Sequence, residues 1–112
     1  MKPIGSDTIR GNIDIILLSL LLEDDKYGYQ LAREIEIKSK EQYVIKEATL
    51  YSALKRLEEQ GHISSYMEDA EGRMRKYYTI SRRGQSYFVE KCSEWKRSIT
   101  IINYFLEDEK DE

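Results

Sequence analysis

A chain of 112 residues, 40% apolar and 35% charged, is sized for one domain with one modest core, and this composition excludes a disordered polymer. The net charge is −3, but the last six residues, Glu107 to Glu112, carry −4 and leave +1 on the rest, so a nucleic-acid partner is not excluded. One cysteine, Cys92, excludes an internal disulfide framework, and a single histidine beside it excludes a four-ligand His/Cys metal site or a histidine-based nucleophile triad.

The first helix is predicted from about Asp7 to Leu22. From Ile15 onward it is apolar nearly all the way round (Ile15, Ile16, Leu17, Leu18, Leu20, Leu21, Leu22). Such a helix has to be covered on more than one side. The apolar run is broken by Asp14 and Ser19, is too short to span a membrane, and is not followed by a small-residue cleavage site. A cytoplasmic location with no membrane partner is the expectation. Glu23 to Lys26 reads as a polar turn. A second helix carries Tyr27, Leu31 and Ile35 four residues apart, with Ala32 beside them, and fades near Ser39. Tyr43-Val44-Ile45 reads as a short extended stretch.

A third helix is predicted over Glu47–Gln60, ended by Gly61 in the left-handed position. At 100° per residue, Leu50, Ala53, Leu54 and Leu57 share its inner face. Its outer face holds Ala48, Ser52, Lys55 and Glu59, flanked by Thr49, Tyr51 and Arg56. Small side chains near a helix N-terminus let it sink into a groove, and the N-terminus itself favours phosphate. Thr49 and Ser52 can bond base edges, whereas Lys55 and Arg56 can reach guanine or phosphate.

Two β-prone runs, 62–67 and 73–80, surround a polar loop of Glu68 to Gly72 and read as a hairpin. His62 is placed at the surface or a sheet edge. From Gly72 to Arg83 there are five basic residues and no acid: Arg73, Arg75, Lys76, Arg82 and Arg83. A basic hairpin beside a reading helix suits the phosphate backbone or the minor groove. Arg73 and Lys76 flank the loop tip and are the leading candidates, with Arg75 beside them. Arg82 and Arg83 stand at a helix start, where a cation is mildly unfavourable, and so hint at an external anion.

Ser81 can cap a last helix that runs to about Leu106, roughly 38 Å at 1.5 Å per residue. Phe88, Cys92, Trp95, Ile99, Ile102 and Leu106 recur at spacings of 4, 3, 4, 3 and 4. That 3.5-residue repeat is a coiled-coil seam. The first helix can cover part of it, and a second copy of the chain the rest. The expected fold is mainly α with a small β-hairpin: a winged helix-turn-helix over residues 1–80, a C-terminal dimerisation helix over 81–106 and an acidic tail over 107–112. Two readings follow for such a fold. One is a homodimeric regulator on an inverted-repeat operator in double-stranded DNA; the other is a winged-helix protein–protein interaction module that does not touch DNA. No enzyme activity, cofactor or metal is expected.

The sequence resembles the PadR family of transcriptional regulators. The resemblance rests on Arg10-Gly11, Tyr27-Gly28-Tyr29, the run from Ala48 to Glu58 closed by Gly61, the stretch Gly72 to Ile80, and Gly84. It covers about residues 9–106. The family pattern usually has Gly where Ala48 stands and Pro where Ser52 stands. Ala48 and the single C-terminal helix are more similar to the short, multidrug-sensing branch typified by LmrR. The resemblance implies a homodimeric repressor released by a small molecule. In that branch a planar aromatic ligand stacks on a tryptophan of the last helix at the dimer interface, a position matched by Trp95. Asp14 and Ile15 of the first helix would line the same cavity, and an acid there would favour cationic ligands. This chain departs at Ile99, where an acid is expected, and at Lys91, where a small residue is expected. Trp95 therefore reads either as a ligand contact or as a core residue at a heptad position.

Overall fold

The computed structural model describes residues 9–107. The expected start of the first helix at Asp7 and the tail beyond Glu107 lie outside the described residues. Four helices and a three-stranded sheet follow in the order α1 (Ile13–Glu23), β1 (Lys26–Tyr27), α2 (Gly28–Lys38), α3 (Glu47–Glu59), β2 (Ile63–Ala70), β3 (Arg73–Ile80) and α4 (Arg82–Leu106).

The first helix is interrupted where continuous helix was expected. Residues 9 and 10 are helical, but Gly11 and Asn12 form a turn, closed by the Asn12 amide donating to the Ile9 carbonyl at 2.7 Å. Gly and Asn favour turns over helix interiors, which places the break there. α1 then sits at the centre of the domain. Leu17, Leu18, Leu20 and Leu21 are buried, with Leu31 and Ile35 of α2, Leu50, Leu54 and Leu57 of α3, Ile63 of β2 and Tyr78 of β3 around them. Each fully buried leucine contributes about 2 kcal/mol of apolar transfer energy. This explains why α1 can be apolar on nearly every side.

The eight residues 39–46 join α2 to α3 without a strand. Tyr43-Val44-Ile45 is irregular, not regular β structure, yet Tyr43 and Ile45 point inward and are buried. Val44 between them is exposed, so the stretch alternates in burial without joining the sheet. Ser39 secures the segment: its hydroxyl accepts from the Tyr43 amide at 3.0 Å.

Strand order in the sheet is β1-β3-β2, antiparallel throughout. β1 begins at Lys26, in a stretch whose polarity predicts a turn. Lys26 is instead 2% exposed. Its ammonium lies against Asp24, against Glu23 at 3.3 Å and against Glu34 at 3.7 Å. Burial alone would lower its pKa, but bonds to Asp24 and Glu23 and the charge of Glu34 outweigh it and raise the group. The hairpin is also longer than expected. β2 continues through Ala70, and only Glu71 and Gly72 form the turn, at φ of 56° and 83°. A two-residue turn with positive φ at both positions matches the twist of the flanking strands, and glycine accepts it without strain.

The wing is pinned to the body by Tyr66, whose hydroxyl donates to Asp25 at 2.6 Å. That bond pushes the Tyr66 pKa up to about 12. A raised value means the fold favours the neutral phenol: the contribution is present below the ordinary tyrosine range and lost as pH rises through about 12. Carbon-13 NMR of the tyrosine ring should place the Tyr66 midpoint near 12, and Asp25→Asn should bring it down toward ordinary tyrosine values. An unchanged midpoint in Asp25→Asn would remove Asp25 as the cause.

Ser81 caps α4 as expected, accepting from the Gly84 amide at 2.9 Å. The first turns of α4 pack on the domain through Tyr87 and Phe88, the stretch from Lys91 to Ile102 passes the start of α1, and the molecule is 62 Å long.

Candidate nucleic-acid interface

α3 divides as its periodicity predicts. Leu50, Ala53, Leu54 and Leu57 are buried, while Ala48, Tyr51, Ser52, Lys55, Arg56 and Glu59 are exposed and Thr49 is half-buried. Its first turn has no side-chain cap, so its leading amides are left for an outside acceptor. The outer face is a ridge between two hollows. On one side, Tyr51 shares a 250 Å³ cleft with Tyr27, Tyr29, Arg75 and Lys76 between α3 and the wing. On the other, Thr49, Ser52 and Arg56 share a 360 Å³ hollow with Arg10. Lys55 stands on the ridge, and Arg73 stands at the wing tip beside the turn.

The cations differ in availability. Lys55, Arg73, Arg82 and Arg83 have no ion-pair partner among the described residues. Arg75 folds back, its guanidinium 4.5 Å from the Tyr27 ring centre, and Lys76 lies 5.7 Å from the ring centre of Tyr78. Tyr27, Tyr77 and Tyr66 continue that packing as an edge contact at 5.4 Å and a stack at 5.7 Å. Strand alternation explains the split: Arg75 shares one face with Tyr77, Lys76 the other with Tyr78. Arg56 is bound by Asp14 through two bonds of 2.9 Å. The expected reading residue and the expected effector-lining acid thus hold each other.

The residues assigned to the terminal helix fall into two sets. Phe88 and Cys92 are half-buried in the first turns of α4. Trp95 is 43% exposed, Ile102 is 55% exposed, and Ile99 and Leu106 are exposed as well. Trp95, Ile99 and Ile15 line a 320 Å³ groove between the start of α1 and α4, together with Asn12, Lys91 and Ile102. Asp14 is not among its lining residues. Sequence reasoning missed a second set of bare apolar side chains, Ile101, Tyr104 and Phe105, which lie off the heptad stripe; Phe105 is 77% exposed.

His62 is buried where a surface position was expected. Its ring stacks on Tyr87 at 4.0 Å, and burial, reinforced by Arg83, lowers its pKa. No group of three His, Cys, Asp or Glu side chains among the described residues is placed to hold a metal ion. No helix among the described residues is long and apolar enough to cross a membrane.

A reading helix with a bare outer face, set on a helical core and flanked by a basic wing, defines a winged helix-turn-helix protein of the DNA-binding regulator class. The model of the Transcriptional regulator PadR-like family matches residues 17–90, and the chain belongs to that family, whose members regulate transcription. It is similar to a transcriptional regulator from Clostridium thermocellum (51% identity, 89% of this chain and 98% of that one, TM-score 0.84). It is also similar to a PadR family regulator from Clostridium difficile (35% identity, 84% and 97% covered, TM-score 0.72). An uncharacterized protein of Lysinibacillus sphaericus is 43% identical over 93% of this chain and 96% of its own.

Proposed function

We propose that the chain is a cytoplasmic homodimeric repressor that reads an inverted-repeat operator through paired α3 helices and wings, with residues 81–106 as the dimerisation helix. The carrying observation is the bare α3 ridge beside a wing whose tip cation, Arg73, has no ion-pair partner among the described residues. Thr49, Ser52 and Lys55 contact bases, while Tyr51, Arg73, Arg75 and Lys76 follow the backbone. Two copies related by a two-fold axis address half-sites about one helical turn apart. The apolar side chains left bare on α4 support the second copy as their cover.

The groove at Trp95, Ile15 and Ile99 supports an effector reading. A planar aromatic molecule stacks on Trp95, and its binding weakens operator affinity. Asp14 is not in the lining, and the two charged groups that are, Lys91 and Glu94, pair with each other at 3.0 Å, so a neutral aromatic fits better than a charged one.

Mobility-shift titrations test the DNA contacts. Arg73→Ala should weaken binding to all duplexes by about tenfold and, with one Arg73 lost from each of the two wings, lower the salt slope by about two. Ser52→Ala should alter preference among sequences instead. Equal affinity of Arg73→Ala and the parent across a salt series would remove the wing from the interface.

A further inference from the structure

We propose that Asp14 and Tyr87 are positioning residues for DNA recognition, which hold Arg56 in place at the edge of the α3 ridge. The proposal rests on the sequence-selective DNA binding proposed above. The Asp14 carboxylate is 12% exposed, whereas the Arg56 side chain it binds is 47% exposed. Asp14 takes both terminal nitrogens of the guanidinium at 2.9 Å, and its Oδ2 also accepts from the Tyr87 hydroxyl at 3.0 Å. Tyr87 is fixed in turn by its stack on buried His62. One acid of α1 therefore ties the reading helix to α4.

Arg56 has five N–H donors, and a two-bond clamp leaves three of them. Those three belong to a half-exposed group beside Thr49 and Ser52 in the hollow flanking the ridge. A long side chain usually loses rotamer freedom when it grips a ligand; here that freedom is already lost in the free protein. On the other flank of α3, the Tyr51 ring lies against Gly28, so the helix is braced on both edges. Positioning and charge make opposite predictions for Asp14. Removing a negative charge beside a polyanion should tighten binding to every duplex. Removing a clamp should weaken discrimination between operator and unrelated DNA.

The test compares affinities of full-length parent, Asp14→Asn, Tyr87→Phe and both changes in an Arg56→Ala background for a selected operator and a scrambled duplex. Asp14→Asn should cut the operator-to-scrambled ratio about fivefold or more, and Tyr87→Phe about two- to fivefold with no change in net charge. In the Arg56→Ala background neither change should reduce the ratio further. The proposal is overturned if Asp14→Asn tightens binding to both duplexes and leaves their ratio unchanged, as charge alone dictates, or if the losses in ratio persist without Arg56. Circular dichroism establishes that each variant is folded, and Tyr87→Phe decides the matter if Asp14→Asn is not. A parent that binds all duplexes alike would overturn the operator reading itself. A parent that discriminates, alongside a Tyr87→Phe that discriminates equally, would overturn only the positioning role.

Discussion

On the proposed homodimer, Ile102→Glu is expected to leave a folded monomer. Ile102 is 55% exposed on α4 and is not part of the buried core, so the substitution removes little from the isolated chain. In the proposed seam it would bury a carboxylate from each chain in an apolar setting. Burying unpaired charge is costly, on the order of several kcal/mol. A loss of about 3 kcal/mol raises the dimer dissociation constant by roughly 100-fold. Operator affinity should fall with it, because both half-sites are needed for full binding. Sedimentation velocity at micromolar concentration would check the mass, and circular dichroism the fold. An unchanged mass in Ile102→Glu would mean that the second copy sits elsewhere.

Gly84→Ala should strike the junction between the winged domain and α4. A methyl at Gly84 would overlap the His62 carbonyl oxygen and approach Ile80 Cγ1 to 2.9 Å. The obstruction is main chain, not the far end of a flexible side chain, and it cannot swing aside. That carbonyl already accepts from the Ser81 amide at 3.0 Å and the Ser81 hydroxyl at 3.0 Å. Relieving the overlap would pull on the α4 cap and on His62, whose ring stacks on Tyr87. Overpacking against a fixed backbone costs about 1–3 kcal/mol, and near the upper end here because three contacts move together. The melting temperature should fall by roughly 10 °C at matched protein concentration. A variant that melts within a degree or two of the parent would show that α4 can tilt at no cost.

The parts of this fold that follow a period were legible in the sequence. The buried face of α3 and the general place of the hairpin are sums of many residues obeying 3.6- or 2-residue repeats. Gly61 was legible for a different reason, since at φ 81° it stands where few other residues do. The features that were missed depend on partners distant in the chain. β1 is only two residues long and exists through pairing with Tyr77 and Tyr78. Lys26 looked like a solvated turn residue: Glu23 and Asp24 stand beside it in sequence, but its pairing with Tyr78, 52 residues on, leaves no local mark. The Arg56–Asp14 clamp joins residues 42 apart. Arg56 and Asp14 each looked free and were assigned to different tasks, the DNA face and the effector cavity. Glu68 to Ala70 read as loop because their polarity outweighed the strand pattern, yet a wing strand exposed to solvent has no need of apolar residues.

Selection of duplexes from a random pool of about 30 base pairs by the full-length parent tests the central claim most directly. Enrichment of an inverted repeat, its halves centred about one helical turn apart and bound by two chains per duplex, is the result expected. The whole reading depends on two reading helices being presented together to one face of the double helix. A pool that emerges without any shared motif, or a lone half-site occupied by a single chain, would contradict it.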